Sequence, residues 1–175
     1  MAFFDDFLKE DLELIVSLPY RVGYFVSRAD DEVSTHRDEK REARALNAVL
    51  ESLSEQRKKC PFLAEVAEQS LSHEDHWPAW RAQKGLAEDI GKCLTLMEAR
   101  LPEANVGEFR RALYHIGCVV AQAYGEDDGD SEAMIGQLIA KLSDRLFDPL
   151  DRNPENISKA EKAALQKLKE TLLKG

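Results

Sequence analysis

The sequence predicts an all-α protein, a single-domain bundle of about eight helices over residues 1–175, and three observations predict it. Apolar residues recur at helical spacing along nearly the whole chain, and no stretch alternates strictly as a half-buried strand would. The composition is 43% hydrophobic and 33% charged with only 9 Gly and 6 Pro, which suits helices better than the turn-rich chain of a β-sandwich. The length, 175 residues, fits one domain. A domain of that size buries roughly 70% of the surface its unfolded chain exposes, so a real core forms without staples.

Taken in order, the first helix covers about residues 4–16 and stops before Pro19, which suits the opening turn of a second helix running to about Ala29. In that second helix Leu18, Val22, Phe25, Val26 and Ala29 share one stripe, the pattern of a buried face. The third helix, about 36–55, turns Ala43, Leu46, Val49, Leu50 and Leu53 inward, with Thr35 as N-cap and Asp38 supporting the first turn. A fourth opens at Pro61 and runs to about Leu71, and the segment SLSHEDHWPAW then interrupts the periodicity. The fifth, about 79–100, ends before Pro102; Asn105 caps the sixth, about 106–124; Asp130 or Ser131 caps a seventh ending near Phe147. DPLDRNPEN is a loop by its Pro, Asp and Asn content, and Ser158 with Glu161 forms the S-x-x-E capping box that opens the eighth helix.

Sliding the chain by 94 residues brings Tyr20 onto Tyr114, Val22 onto Ile116, Gly23 onto Gly117, Val26 onto Val120 and Ala29 onto Ala123. Past the next loop the shift is 92, and Asp38 meets Asp130, Leu46 meets Leu138 and Leu50 meets Leu142. Helical periodicity alone aligns apolar positions, so the weight falls on the Tyr and Gly pairs and on an acidic loop at the same place in both copies. The chain therefore reads as a four-helix unit repeated over about residues 4–72 and 79–173.

An apolar helix ending at Ala, an acidic loop and an acidic helix start together resemble the TerB-like domains named after bacterial tellurite-resistance proteins. Their signature is A-D-G-x-[IV] followed by Glu. The first copy here reads Ala29, Asp30, Asp31, Glu32, Val33 and then Glu39; the second reads Ala123, Tyr124, Gly125, Glu126 and then Glu132. Asp31 stands in place of the turn glycine in one copy, and Tyr124 in place of the acid in the other. The resemblance covers about residues 18–172 and implies an all-helical, internally duplicated fold, an acidic surface that binds divalent cations, protein partners and a role in bacterial stress or tellurite resistance. It brings no catalytic constellation, and the chain is expected not to be an enzyme.

Net charge is −9 with a pI near 5.0, so the overall field repels nucleic-acid backbones and anionic membrane surfaces. The basic groups, Arg57 to Lys59, Arg110 with Arg111, and the lysines of the last helix, read as solvated faces. Cys60, Cys93 and Cys118 are odd in number and outside any C-x-x-C spacing, which points to a reducing cytoplasm. The start, MAFFDDFLKEDLELIVSL, lacks the basic leader of a signal peptide, and no uncharged stretch approaches the roughly 18 residues of a membrane span. Phe3, Phe4, Phe7 and Leu8 are expected to lie on the body of the protein.

Two carboxylate clusters carry the chemistry the sequence suggests: Asp30, Asp31, Glu32, Asp38 and Glu39 in one copy, and Glu126, Asp127, Asp128, Asp130 and Glu132 in the other. Clustered carboxylates supply the oxygens that hard cations such as Ca²⁺ or Mg²⁺ require. Neither cluster fits the twelve-residue calcium loop, because counting from Asp128 puts Ile139 where its last Glu belongs. Acids at a helix start are also stabilised by the helix dipole, at about 0.3 to 1 kcal/mol each, which accounts for Asp38, Glu39, Asp130 and Glu132 without an ion. Asp30, Asp31, Glu126 and Asp127 follow helix C-termini, where negative charge is disfavoured, and call for a cation: Arg28, Arg37, a basic partner, or bound Ca, Mg, Mn or Zn.

His73 and His76 form an H-x-x-H pair, which as a zinc site has only Glu74 or Asp75 as local third ligand. Trp77 and Trp80 form an aromatic hinge between the halves. Cys118 has no base on its helix face, and no E-x-x-H, G-x-S-x-G or phosphate-binding Gly loop occurs. The functional expectation is a divalent-cation-binding module; the alternative is a metal-free scaffold whose acidic loops meet a basic protein partner, and self-association into a homo-oligomer is a separate expectation.

Overall fold

The computed structural model describes residues 3–30, 36–124, 136–137, 140, 150 and 157–174. They form helices, turns and connections, with no strand among the described residues. The bounded α-helices are α1 (Lys9–Ser27), α2 (His36–Ser54), α3 (Pro61–Ser72), α4 (Trp77–Ala82), α5 (Leu86–Glu98), α6 (Glu103–Tyr124) and α7 (Lys159–Lys174), with 3₁₀ turns at Arg28–Asp30 and Glu74–His76. The seventh helix expected from the sequence, together with its caps Asp130 and Ser131 and the Thr35 cap, lies outside the described residues except at positions 136, 137 and 140, which are helical.

Where two helices were expected at the start there is one. Pro19 sits inside α1, where it offers no N–H to the Ile15 carbonyl. The helix runs through it because Ile15, Leu18, Val22 and Val26, all buried, continue a single stripe in phase on both sides of the proline. Residues 3–6 form a turn instead of helix, and Phe3 and Phe4 set their rings edge-on against Phe62 at 5.5 and 6.2 Å. Leu8, expected to pack on the body with them, is instead exposed. The helix expected over 79–100 is split the other way, into α4 and α5. Residues 83–85 leave the helix, and Gly85 adopts φ 80°, a left-handed conformation open to glycine at little cost.

The start of α6 lies at Glu103, where the Pro102 carbonyl accepts from Asn105 N at 3.0 Å, so Asn105 is in the first turn and is not its cap. The α7 capping box forms as expected: Ser158 N donates to Glu161 Oε2 at 2.9 Å and Glu161 N donates to Ser158 Oγ at 3.1 Å. At the other polarity, Ser27, Ser54 and Ser72 each close their own helix. Their hydroxyls donate to the carbonyls of Tyr24, Glu51 and Gln69 at 2.7, 2.6 and 2.9 Å, a second donor for Tyr24 and Glu51, whose carbonyls also accept the N–H groups of Arg28 and Glu55.

The core joins all of these helices. Leu46, Val49, Leu50 and Leu53 of α2 are buried as expected, whereas Ala43 is exposed and Ala45 is buried in its stead. Phe62 and Phe109 meet edge to face at 6.2 Å between α3 and α6, and Ile90, Leu94 and Met97 bury the inner face of α5.

The seam between α1 and α6 has a reciprocal form. A Cβ added at Gly23 would lie 3.5 Å from Val120 Cγ2, and one added at Gly117 would lie 3.2 Å from Val26 Cγ2. The helices run in the same sense. Near their starts Asp11 reaches Arg100, just before α6, at 3.9 Å, and near their ends the two glycine contacts form. Ser27 and Tyr124 therefore lie at the same end of the bundle. Among the described residues no helix is long and apolar enough to cross a membrane.

Candidate functional site

Of the acids singled out in the sequence, Asp30 closes the 3₁₀ turn after α1, and Asp38 and Glu39 belong to the first turn of α2. Asp31, Glu32, Glu126, Asp127, Asp128, Asp130 and Glu132 lie outside the described residues. What the described residues show is where both segments depart: from the bundle end reached by α1 and α6.

That same end carries a groove of about 790 Å³ between α1, α4, α5 and α7. Its apolar wall includes Tyr24, Phe25, Trp80 and Leu86, and its floor on α7 is built from Ala160, Ala163, Ala164 and Leu168. The small alanines follow from helical spacing: positions 160, 163, 164 and 168 share one face of α7, and their short side chains leave the space open. Among the described residues that line it, Arg21, Arg28, Arg81, Lys84 and Lys167 are basic and Glu88 is acidic.

The cations are positioned by aromatic rings. Arg28 Nε donates to the Tyr24 hydroxyl at 2.9 Å and its guanidinium lies 5.2 Å from the Tyr24 ring centre. Arg81 approaches the same ring at 5.8 Å. Behind them Tyr20 stacks on Trp77 at 4.5 Å, and Trp77 Nε1 donates to the Ser70 carbonyl at 3.1 Å. The Trp hinge read from the sequence is thus a buried joint. Burial also raises the Tyr20 hydroxyl above its ordinary pKa, against the pull of Arg81.

Two buried donors in the groove wall are unmet. Arg21 Nη2 lies 2.7 Å from Asp89 Oδ2, yet neither Arg21 Nη1 nor Nη2 reaches a partner in hydrogen-bond geometry. The short distance establishes the charge pairing and the angles withhold the directional bond. Trp80, 2% exposed, likewise keeps its Nε1–H without a hydrogen-bond partner.

The other candidates separate from this end. The His73 and His76 rings lie 5.1 Å apart; His73 Nδ1 is 2.7 Å from the Gln69 carbonyl oxygen, and His76 stands 3.7 Å from both Glu13 and Asp75. Among the described residues, no three of His, Cys, Asp and Glu gather closely enough to hold a metal ion. The cysteines are all buried. Burial, together with the charge of Glu108, pushes the Cys60 thiol up to about 11, and burial beside Asp11 and Asp89 pushes Cys93 up to about 12, the reverse of an activated nucleophile.

The groove was not foreseen in the sequence. Its cations come from α1, the 3₁₀ turn after it, α4, the connection that follows α4, and α7, at positions from 21 to 167. The available signal was the crowding of Arg81 and Lys84 onto the Trp hinge, opposite an alanine-rich basic helix. Compared with family models, curated proteins and solved structures, the chain matches none.

Proposed function

We propose that this chain is a non-enzymatic helical module of TerB-like type that acts by binding at the bundle end where α1 and α6 finish. The observation that carries the reading is the reciprocal contact of Gly23 with Val120 and of Gly117 with Val26. Under the shift of 94 residues each contact maps onto the other, as expected if the halves arose by duplication. The common direction of α1 and α6 supports a joint role for the acid-rich segments that follow them, with a divalent cation (Ca²⁺, Mg²⁺, Mn²⁺ or Zn²⁺) as ligand in a bacterial cytoplasmic stress or tellurite-resistance setting. Buried, protonated thiols fit binding better than covalent catalysis.

The test is a thermal titration with each ion. A cation that prefers the folded state raises the melting temperature by mass action, and the Asp30→Asn, Asp31→Asn double variant is expected to abolish the shift. No shift with any ion, and no metal in the purified protein by elemental analysis, would transfer the proposal to the metal-free scaffold that meets a basic protein partner, to be sought by pulldown from the host.

A further inference from the structure

We infer that the groove between α1, α4, α5 and α7 is a binding site for a small amphipathic anion, an oxyanion head on an apolar body. This site is built from other residues than the acidic clusters and takes a ligand of the opposite charge.

The first argument is charge. The chain has 33 acidic and 24 basic residues, so a groove lined at random would hold more acids than bases. Among the described residues this one holds five bases and one acid. Like charges gathered around one concave groove repel one another, and an anion entering it relieves that repulsion while the field concentrates it there. Four of the cations come from separate stretches of the chain, Arg28 from the 3₁₀ turn after α1, Arg81 and Lys84 from α4 and the connection that follows it, and Lys167 from α7, so local sequence composition does not explain their meeting.

The second argument is the pair of unmet donors. A buried N–H without a partner costs about 1 to 3 kcal/mol, and among the described residues the wall contains such groups at Arg21 Nη1 and Trp80 Nε1. A ligand oxygen is the acceptor such groups lack. The third is shape: about 790 Å³ is the size of a small-molecule cleft, and the Trp80, Leu86 and Leu168 surfaces beside the cations offer an apolar body a place to bury. Inorganic oxyanions use only the first two features; a carboxylate or phosphate ester with a hydrocarbon body uses all three.

Both tryptophans of the chain, Trp77 and Trp80, lie at this joint, so intrinsic emission reads the site without a label. The probes are octanoate and octyl phosphate below their micelle-forming concentrations, with octanol and inorganic phosphate alongside, added to the full chain. The result expected is a saturable change in emission and a raised melting temperature with the two amphiphiles. Both effects should weaken about tenfold or more in the Arg81→Gln, Lys84→Gln double variant. Those side chains are exposed, so the variant should keep its fold, which circular dichroism checks. A Lys167→Gln variant gives a second reading from the opposite wall. Octanol binding as well as octanoate, or amphiphile binding unchanged in the charge variants, would overturn the inference, as would no saturable response. Competition by anionic phospholipid vesicles would support it and identify a bilayer lipid as the source of the head group; octanoate binding without such competition would support it for a free ligand.

Discussion

Arg21 of α1 and Asp89 of α5 are joined at 2.7 Å with unequal burial, the arginine side chain 3% exposed and the aspartate 32%. The pair ties the helix that forms the seam to the helix that bounds the groove. Because Arg21 is the deeper partner, removing the carboxylate strands a buried charge, whereas removing the arginine leaves an acid that water can reach. Asp89→Asn is therefore expected to cost about 1 to 3 kcal/mol in urea unfolding, with Arg21→Met costing less.

The glycines of α1 and α5 are expected to respond in opposite directions to alanine. A Cβ at Gly23 would come within 2.8 Å of Leu46 Cδ1, and Gly23→Ala should destabilise by about 1 to 3 kcal/mol as α2 is pushed aside. A Cβ at Gly91 meets nothing within 4 Å, and Gly91→Ala should stabilise by about 0.5 to 1 kcal/mol through helix propensity alone. Thermal melts of the two variants side by side check both signs.

Ser158 supplies one half of the capping box that opens α7. Ser158→Ala is expected to lower stability by about 1 kcal/mol and to loosen the first turn of α7, visible as faster amide exchange at Glu161.

Alkaline pH should unfold the protein through its thiols. Cys60 and Cys93 are raised from an ordinary value of 9.0 to about 11 and about 12, so the folded chain holds protons that the unfolded chain releases. Their contribution is complete below about pH 9 and is lost as pH climbs toward 11 to 12. Melting temperatures measured from pH 8 to 11 should fall, less steeply in a Cys93→Ala variant compared with its own value at pH 8. In the native state all three thiols should react slowly with a water-soluble disulfide reagent and quickly in urea.

The helical class and the buried stripes were legible because helix periodicity is a local signal, and so were the Ser158 box and the Trp joint. Pro19 misled, since a proline normally marks a boundary and only the buried stripe from Ile15 to Val26 shows that this helix passes through it. Gly85 was passed over because nothing in its neighbours announces a left-handed backbone; the break depends on α4 turning its Trp pair toward Tyr20. The groove was hidden for a topological reason: Arg28, Arg81 and Lys167 are brought together by helix packing, and no spacing in one dimension encodes that meeting.

Gly85 also marks where the polypeptide could be interrupted. It is exposed, lies just before α5, and falls between the piece carrying Gly23 with Val26 and the piece carrying Gly117 with Val120. Severing the chain there would give two fragments, each with an apolar face shaped to be covered by the other, so co-expressed fragments should reconstitute one body while either alone should aggregate.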